Sequence, residues 1–267
     1  MSDKLEILCI SGNHRRHLYY LNEIAKKFDI KGSIIQKREN INPEPPKNIS
    51  KKNRENFIFH FKTRDEKERQ YFGKQEYPNH DILEVLPEQL NTTKSIEFIK
   101  MKNPNVVLIF GSDLIKDPLY SQLPKDSINL HLGLSPRYRG AAGLFWPFYF
   151  LEPNLAGSTF HHIISEPDAG EIIHQSLPTL QEQDGIHDVA CKTVIASTQD
   201  MCKLLEIKQE KGFWKRFDQK GSGKNFLESD FRPEHLQLIY DLFNDKIVKE
   251  YLQGRIISKK MNIIKQF

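Results

Sequence analysis

The sequence predicts an α/β fold, with helices packed on the faces of a mainly parallel sheet. An apolar, β-prone segment at 5–10 is followed at once by a helical apolar repeat and then by a second strand candidate at 32–36, which is the order of a βαβ unit. A later segment, 106–110, is apolar at every position, as expected of a strand buried on both faces. The 267 residues suffice for one large domain, or for one domain with an appendage.

The remaining elements follow from apolar spacing between turn residues. The first helix has Leu18, Leu21 and Ala25 on one face, and three prolines within 42–56 indicate a surface connection. We expect Asp184 to cap the start of a long helix. In chain order, the expected helices are 18–28, 57–73, 92–100 and 186–205, and the expected strands are 5–10, 32–36, 106–110, 127–131, 156–164 and 171–176.

The helix expected at 57–73 has two interpretations. It alternates charged residues with Phe57 and Phe61, and the basic run Lys51-Lys52-Asn53-Arg54 precedes it. Such a pattern suits a solvated helix laid over the core. It equally suits a basic lid over an anionic ligand, and the sequence leaves both interpretations open.

The chain changes character in its last quarter. A stretch rich in Gly and Lys, 219–224, lies between two aromatic segments and predicts a β-hairpin with a flexible tip. Pro233 then begins a helix whose apolar face reaches Tyr251. The expected domains are a main domain at 1–205 and a small C-terminal extension at 206–267.

Composition narrows the class of protein. Hydrophobic residues make up 38% and charged residues 28%, and the mean hydropathy is -0.57, which is typical of a soluble globular protein. No apolar run approaches the roughly 20 residues needed to cross a bilayer, and the N-terminus lacks the cleavage site of a secretory signal. We therefore expect no membrane partner. A net charge of +4 is weaker than a nucleic-acid binder usually shows and is compatible with an anionic small substrate.

The three cysteines, Cys9, Cys191 and Cys202, are too scattered for a disulfide framework or a metal site. Their odd number and hydrophobic surroundings indicate reduced thiols in the core. We therefore expect a cytoplasmic protein without a bound metal.

Polar residues suited to acyl transfer follow one predicted strand. Asn129 and His131 are two residues apart at a strand end, so their side chains project to the same face. An amide N–H beside an imidazole suits a developing oxyanion and a proton transfer. Asp168 follows in a tight Pro-Asp-Ala-Gly loop. Residue types alone do not establish a site, since the chain has ten histidines.

Several short sequence motifs in a fixed order make the pattern specific. They are Ile128-Asn129-Leu130-His131-Leu132-Gly133-Leu134-Ser135-Pro136-Arg137-Tyr138-Arg139-Gly140, then Gly157-Ser158-Thr159-Phe160-His161, then Asp168-Ala169-Gly170-Glu171-Ile172-Ile173. Together they resemble the folate-dependent formyltransferase family over roughly 5–205. The resemblance implies a Rossmann-like domain, 10-formyltetrahydrofolate as formyl donor and an amine as acceptor. It also implies that Asn129, His131 and Asp168 are the catalytic residues.

The resemblance implies binding residues as well. The pterin of the donor lies against the backbone of two loops in this family, represented here by Gly111, Ser112, Asp113 and Leu114, and by Ile164, Glu166 and Pro167. The implied residues on the acceptor side are Gly12, Asn13, Arg15, Arg16, Arg137, Tyr138 and His161. Structural alternatives stay open for these residues, because Gly111 also suits a plain strand end and the arginines an exposed helix turn. Tyr138 equally suits the core, and His161 a packed strand position.

The sequence motif around His131 suggests the acceptor. The run His-Leu-Gly-Leu-Ser-Pro with Leu144-Phe145-Trp146-Pro147 resembles the nucleotide-sugar N-formyltransferases of O-antigen synthesis, especially those acting on GDP-perosamine or on dTDP-linked amino sugars. Members of that branch commonly form homodimers, so we expect a homodimer. A methionyl-tRNA or ribonucleotide formyltransferase is an alternative, although the tail is short and weakly basic for gripping tRNA. A non-catalytic folate- or nucleotide-binding protein is a third possibility.

Overall fold

A seven-stranded sheet forms the centre of the molecule. The computed structural model describes residues 4–220 and 223–267, which form nine strands. The strands are β1 (Ile7–Gly12), β2 (Ile30–Gln36), β3 (Ile82–Val85), β4 (Val106–Phe110), β5 (Asp126–His131), β6 (Tyr138–Gly140), β7 (Ser158–His162), β8 (Ile172–Ser176) and β9 (Lys224–Phe226). The order in the main sheet is β3-β2-β1-β4-β5-β7-β8, and β6 pairs with β9 separately.

The sheet is mainly parallel, which confirms the expected fold class. The five strands from β3 to β5 pair in parallel. The last two strands, β7 and β8, pair antiparallel. All six expected strands are present, within a few residues of their predicted ends. The sequence analysis missed β3, whose four residues include Glu84 and are mostly half-exposed at the edge of the sheet.

Six α-helices surround the sheet in the described residues. They are α1 (Arg15–Ala25), α2 (Lys51–Phe72), α3 (Thr93–Lys102), α4 (Trp146–Tyr149), α5 (Ile186–Lys211) and α6 (Ile247–Leu252). The helix expected at 57–73 begins earlier, because the Ser50 hydroxyl caps it by accepting a hydrogen bond from the Asn53 backbone N–H at 3.2 Å. Helix α5 runs past residue 205 and ends at Gly212, which has a left-handed φ of 78°.

The expected cap of α5 was wrong. The N-cap residue is Gly185, not Asp184. The Asp184 carboxylate instead accepts bonds from the Gln181 backbone and from Lys192. Backbone N–H groups at the start of a helix have no partner within it. Here two other carboxylates accept hydrogen bonds from them. Asp188 accepts from Gly185 at 3.1 Å, and Asp245 accepts from Ile186 at 2.9 Å.

Alternation along the strands divides the core between the two faces of the sheet. In β1, Ile7 and Cys9 join one buried cluster with α1 and α5, while Leu8 and Ile10 join another cluster with α3. All four side chains are at most 2% exposed. The three cysteines are free and buried, and burial raises the pKa of the Cys9 thiol to about 12.

The C-terminal hairpin and helix were predicted incorrectly. Strand β9 pairs in parallel with β6, and Phe217 forms an antiparallel bridge with Ile172 of β8. The described residues therefore contain no hairpin in this segment, and part of its expected tip, 221–222, lies outside them. The expected long helix is divided into short turns before α6. Asn244 and Asp245 have left-handed φ angles of 48° and 55°, a conformation that cannot continue an α-helix.

The tail is packed into the main body of the protein. Phe226, Leu236 and Ile239 share one buried cluster with Trp146 and Phe145. The extreme C-terminal segment also lies along β8, where the Gln175 backbone N–H donates to the Ile264 carbonyl at 2.7 Å. The expected boundary at 205/206 falls inside α5, and the division into two domains stays a prediction.

Candidate active site

The candidate site lies where the carboxyl ends of the parallel strands meet. The order of the strands reverses at β1 and β4, so the loops that follow them, at Gly12 and Gly111, leave on opposite sides of the sheet. Ligands of open α/β sheets bind in the crevice at such a point. A cavity of about 500 Å³ opens there and is lined by Gly111, Asn129 and His131, among others.

Asn129, His131 and Asp168 come together at this cavity. Both residues from β5 face Asp168, which sits in the loop before β8 with a left-handed φ of 51°. His131 Nδ1 lies 3.2 Å from Asp168 Oδ2, and Asn129 Nδ2 lies 3.5 Å from Asp168 Oδ1. The Gly140 backbone N–H donates to Asp168 Oδ2 at 2.9 Å. The strand register therefore assembles the three residues predicted from sequence.

The surroundings of Asp168 favour its ionised form. Burial opposes ionisation, but the adjacent His131 and His161 rings and the Gly140 N–H outweigh it and hold the pKa of Asp168 well below its usual range. His161 Nε2 lies 3.3 Å from Asp168 Oδ1. The carboxylate is consequently charged at neutral pH and is flanked by a histidine on each oxygen.

The His131 ring is fixed on both sides. Its Nδ1 faces Asp168, and its Nε2 lies 2.7 Å from the Tyr138 carbonyl oxygen. A Cβ at Gly133 would overlap both Nε2 and that carbonyl, so a glycine is required for this close approach. Both ring nitrogens face acceptors, which holds the ring in one orientation. Such a ring can stabilise negative charge that develops in the cavity.

The residues expected on the phosphate side divide between two cavities. Arg16 lines the main cavity and pairs with Glu68 at 2.5 Å. Arg15 points away, pairs with Asp65 at 3.0 Å and lines a neighbouring cavity of about 460 Å³. Asn13 lies at that second cavity, where its Oδ1 accepts the Arg38 backbone N–H at 2.8 Å.

Arg137 and Tyr138 do not reach the cavity, contrary to the expectation from sequence. The Arg137 guanidinium donates two bonds to the Glu152 carboxylate, at 2.9 and 2.6 Å. The Tyr138 hydroxyl bonds to the same carboxylate, and its ring is 2% exposed. The reason is Glu152, a buried anion whose charge these two side chains satisfy. His161 is also buried, and its Nε2 lies 3.1 Å from Asn129 Nδ2, so it contacts the catalytic candidates and not open cavity.

The first of the two expected folate loops is well anchored. The Asp113 backbone N–H donates to Gln36 Oε1 at 2.7 Å, and the Gln36 amide donates to the Asp113 carboxylate at 2.6 Å. Only Gly111 and Ser112 of this loop line the main cavity. Leu114 follows and is 42% exposed. The loop thus combines a fixed backbone with an exposed apolar side chain.

The second expected loop lies beside the first. Ile163 packs in the same hydrophobic cluster as Ile115, which joins the two loops. Ile164 is 40% exposed, and Glu166 pairs with Arg139 at 3.1 Å. Pro167 leads directly into Asp168. Two partly exposed apolar side chains, Leu114 and Ile164, therefore lie in the loops next to the catalytic candidates, which fits the flat ring system of a pterin.

Sequence reasoning missed His17, the residue that joins β1 and β4. Its buried ring lies against both Gly12 and Gly111, where a Cβ at either glycine would overlap it. The ring packs edge-on against Phe110, with centroids 4.8 Å apart. Burial and the nearby arginine Arg16 hold the pKa of His17 well below its ordinary value, so the ring is neutral. The two glycines were the only signal of this contact.

Helix α2 contributes further residues that the sequence analysis did not single out. His60, Phe61, Arg64 and Glu68 line the cavity from one face of the helix. The His60 ring lies tilted against the His187 ring with centroids 4.4 Å apart, and burial lowers the pKa of His187 to about 3. No spacing in a helix with so many charges distinguishes these residues in advance.

Two features are absent from the described residues, 4–220 and 223–267. They contain no group of three or more His, Cys, Asp or Glu side chains arranged to hold a metal ion. None of the helices that they form is long and apolar enough to cross a membrane.

The fold is similar to those of known proteins. Similar solved structures include phosphoribosylglycinamide formyltransferase from Anaplasma phagocytophilum, with 15% identity and a TM-score of 0.56 over 85% of this chain and 99% of that one. The formyltransferase PseJ from Anoxybacillus kamchatkensis, in complex with a UDP-linked 4-formamido sugar and tetrahydrofolate, has 18% identity and a TM-score of 0.53 over 91% and 96%.

A third structure is the N-formyltransferase from Helicobacter canadensis with folinic acid and dTDP-3-aminofucose. It has 18% identity and a TM-score of 0.54, over 84% of this chain and 72% of that one. At these identities the likenesses establish the fold. The sequence model described as formyl transferase matches residues 36–211, more than half of the chain. The chain therefore belongs to the formyl transferase family.

Proposed function

We propose that this protein is a folate-dependent N-formyltransferase that moves a formyl group from 10-formyltetrahydrofolate to the amino group of a nucleotide-linked amino sugar. The observation that carries the proposal is one cavity lined by two chemically different sets of residues. Asn129, His131 and Asp168 line it, and so do the basic residues Arg16 and Arg38. An acceptor with an amine at one end and phosphates at the other matches this arrangement.

The donor fits the two loops on the open side of the site. Gly111, Ser112, Asp113 and Leu114 would hold the pterin on one side, and Ile164, Glu166 and Pro167 on the other. Leu114 and Ile164 are partly exposed and supply apolar contact to the pterin ring system. When bound, the donor supplies an activated formyl carbon beside the catalytic residues.

Catalysis then follows from the three polar residues. When the acceptor amine attacks the formyl carbon, negative charge develops on the formyl oxygen. The bond from Asn129 Nδ2 to Asp168 is long, at 3.5 Å, so this N–H is available to donate to that oxygen. His131, held between Asp168 and the Tyr138 carbonyl, lies next to this position. Each such donor typically lowers the barrier by several kcal/mol in a closed site.

Asp168 orients His131 and attracts the ammonium that the attack creates. Its pKa is held well below the ordinary range, which makes the carboxylate a weak base. It therefore serves better as a fixed negative charge than as the final proton acceptor. The ammonium proton passes through His131 or through water to the donor nitrogen, which leaves as a neutral amine when its C–N bond to the formyl carbon breaks.

Sugar nucleotides are favoured over the other acceptors of this family. PseJ and the Helicobacter canadensis enzyme were solved with UDP- and dTDP-linked sugars, and the words around His131 resemble that branch. A GDP- or dTDP-linked amino-dideoxy sugar, made in the cytoplasm for O-antigen by a homodimeric enzyme, is the specific form of the proposal. A ribonucleotide acceptor is the second candidate, because phosphoribosylglycinamide enzymes share the fold.

The test is a formyl-transfer assay with 10-formyltetrahydrofolate and five acceptors. These are GDP-perosamine, a dTDP-linked 3-amino sugar, a dTDP-linked 4-amino sugar, glycinamide ribonucleotide and methionyl-tRNA. We expect turnover on one sugar nucleotide, lost in His131→Ala and kept in His80→Ala. His80 is a suitable control because it bonds to Ser33 near the β3 edge, outside the cavity. Turnover on methionyl-tRNA or the ribonucleotide alone would replace the proposal.

A further inference from the structure

Helix α2 presents one continuous face to the main cavity. His60, Arg64 and Glu68 are spaced four residues apart and all line it, as residues at i, i+4 and i+8 do on one side of a helix. The same helix packs against α1 and α5. It is therefore a fixed wall of the cavity in this structure, and its charged groups belong to the site.

Arg64 differs from the other arginines of this cavity. Arg16 is paired with Glu68, and Arg38 is paired with Asp113 and with Glu39. In the part of the chain that the structure describes, no carboxylate lies within 4.0 Å of the Arg64 guanidinium. Its positive charge thus enters the cavity without a direct counter-ion.

The contacts of Arg64 fix the group without neutralising it. Its Nη2 donates to the Ile41 carbonyl at 2.5 Å, and its guanidinium carbon lies 4.7 Å from the centroid of the Phe61 ring. Its Nε is buried and has no hydrogen-bond partner among the described residues. A buried N–H of this kind carries a desolvation cost that a bound acceptor atom would offset.

The electrostatic surroundings of Arg64 also favour a bound anion. Burial, followed by repulsion from Arg16, lowers the pKa of Arg64 to about 10, while Glu68, Glu39 and Asp65 act weakly in the opposite direction. The side chain is still a cation at neutral pH. Two positive groups held near each other in a partly buried cavity favour an anion between them.

We propose that Arg64, with Arg16 and Arg38, binds the diphosphate of the acceptor. The identity of the acceptor as a sugar nucleotide rests on the proposed function. The planar guanidinium matches two phosphate oxygens at once, and three guanidinium groups suit two phosphates better than one. The carboxylates of the folate tail are the other anions that could reach the protein, and the test separates the two.

Binding, which does not depend on turnover, is the primary measurement. Titration calorimetry of the full chain would use UDP, GDP, dTDP, their monophosphates, inorganic pyrophosphate and folinic acid. The variants are Arg64→Gln, Arg64→Lys and the control Arg54→Gln, an exposed arginine on the same helix. Thermal melts of all variants establish that they are folded.

We expect Arg64→Gln to weaken the best nucleoside diphosphate by about 10- to 100-fold, as the loss of a charge-assisted contact does. The monophosphates should lose less, and folinic acid and the Arg54→Gln variant should stay within about twofold. Arg64→Lys should lie between wild type and Arg64→Gln, because it keeps the charge and loses the planar fork.

Three results would overturn the inference. They are equal binding by Arg64→Gln and Arg54→Gln, a loss confined to folinic acid, and no binding of any diphosphate to the wild type. Failure of the proposed function is a separate outcome. If diphosphates bind through Arg64 but no sugar nucleotide is formylated, the inference stands and the proposed reaction falls. If Arg64→Gln formylates a sugar nucleotide as well as the wild type does at low acceptor concentration, the proposed reaction stands and the inference about Arg64 falls.

Discussion

His131 Nδ1 lies 3.2 Å from Oδ2 of Asp168, and this contact links the end of β5 to the loop before β8. Asp168 is held by contacts on both of its oxygens, since His161 lies 3.3 Å from Oδ1. The arrangement explains why an aspartate stays in a left-handed conformation, which non-glycine residues rarely adopt. The predictions below start from this contact and extend to the residues that support it.

Asp168→Asn should abolish most activity while leaving the protein folded. The amide keeps the shape of the side chain but removes the charge that orients His131, so we expect kcat to fall by about 10²- to 10⁴-fold. Steady-state kinetics and far-UV circular dichroism measure the two effects. Asp218→Asn, an exposed carboxylate, is the control. A variant with more than a tenth of wild-type kcat would contradict the role given to Asp168.

The same substitution should change stability in a pH-dependent way. Because the pKa of Asp168 is lowered in the folded protein, its ionised form stabilises the fold at pH values above about 4, where an unfolded aspartate is ionised. That contribution is lost as the pH falls below this range. Urea unfolding should therefore show a larger difference between wild type and Asp168→Asn at pH 7 than at pH 3. An equal difference at both values would argue against the charged contacts.

Asp245→Asn should stabilise the protein at pH 8. Burial, with repulsion from Asp188, raises the pKa of Asp245 to about 6, so ionisation costs folding free energy progressively between about pH 4 and pH 6 and the cost persists above. Asparagine keeps an acceptor for the Ile186 N–H and tolerates the positive φ. We expect a gain on the order of 1–3 kcal/mol at pH 8 and little at pH 4. The control is Asp241→Asn, which has a surface partner in Lys52 and should show no such pH trend.

Gly111→Ala should destabilise the protein through His17. Gly111 has a φ of 73°, and a Cβ there would overlap the His17 ring. The left-handed conformation alone costs about 1–2 kcal/mol for a residue with a side chain, and the overlap adds to it. The double variant Gly111→Ala/His17→Ala removes the overlap and should recover part of the loss. Purely additive effects in urea unfolding would show that the two residues do not interact.

Glu152→Gln should affect stability and leave acceptor binding unchanged. The carboxylate is 8% exposed and accepts bonds from Arg137 and Tyr138, so removing its charge leaves Arg137 partly unpaired. We expect a loss of about 1–3 kcal/mol in the free energy of unfolding. The KM for the acceptor should stay within twofold, because neither partner lines the cavity. A large rise in KM would indicate that Arg137 contacts the acceptor after all.

The sheet and the placement of Asn129 and His131 on one face of a strand were predictable because they depend on local patterns. Strands such as β4 are apolar at every position, and the Asn129-x-His131 spacing places both side chains by the geometry of one strand. Asp168 came from the family resemblance, and the register between β5 and β7, which pairs Asn129 with His161, brings its loop to them.

The phosphate side of the site was only partly predictable. Arg15 and Arg16 are adjacent in sequence but point into different cavities, since neighbours on a helix lie about 100° apart. Arg38 and Arg64 come from segments far from α1 and have no distinguishing spacing. Their contributions follow from tertiary packing, which local sequence patterns do not encode.

The tail was predicted wrongly for a similar reason. Its apolar spacing favours one long helix, yet Asp245 turns back to bond the first turn of α5. This single long-range contact outweighs the helix propensity of the residues around it. The apolar spacing within about 20 residues contains no information about a hydrogen bond to a residue 59 positions away.

The chain beyond β9 has a consequence for association of the protein with itself. β8 is the last strand of the main sheet, and such a strand offers unpaired backbone groups to other molecules. Here Phe217 bonds to Ile172 and Ile264 bonds to Gln175, so the protein shields this border with its own residues. Two copies therefore cannot extend a common sheet through β8 unless these segments are displaced. Association of two copies would then involve other surfaces of the molecule, and removal of 262–267 should make the protein more prone to aggregate.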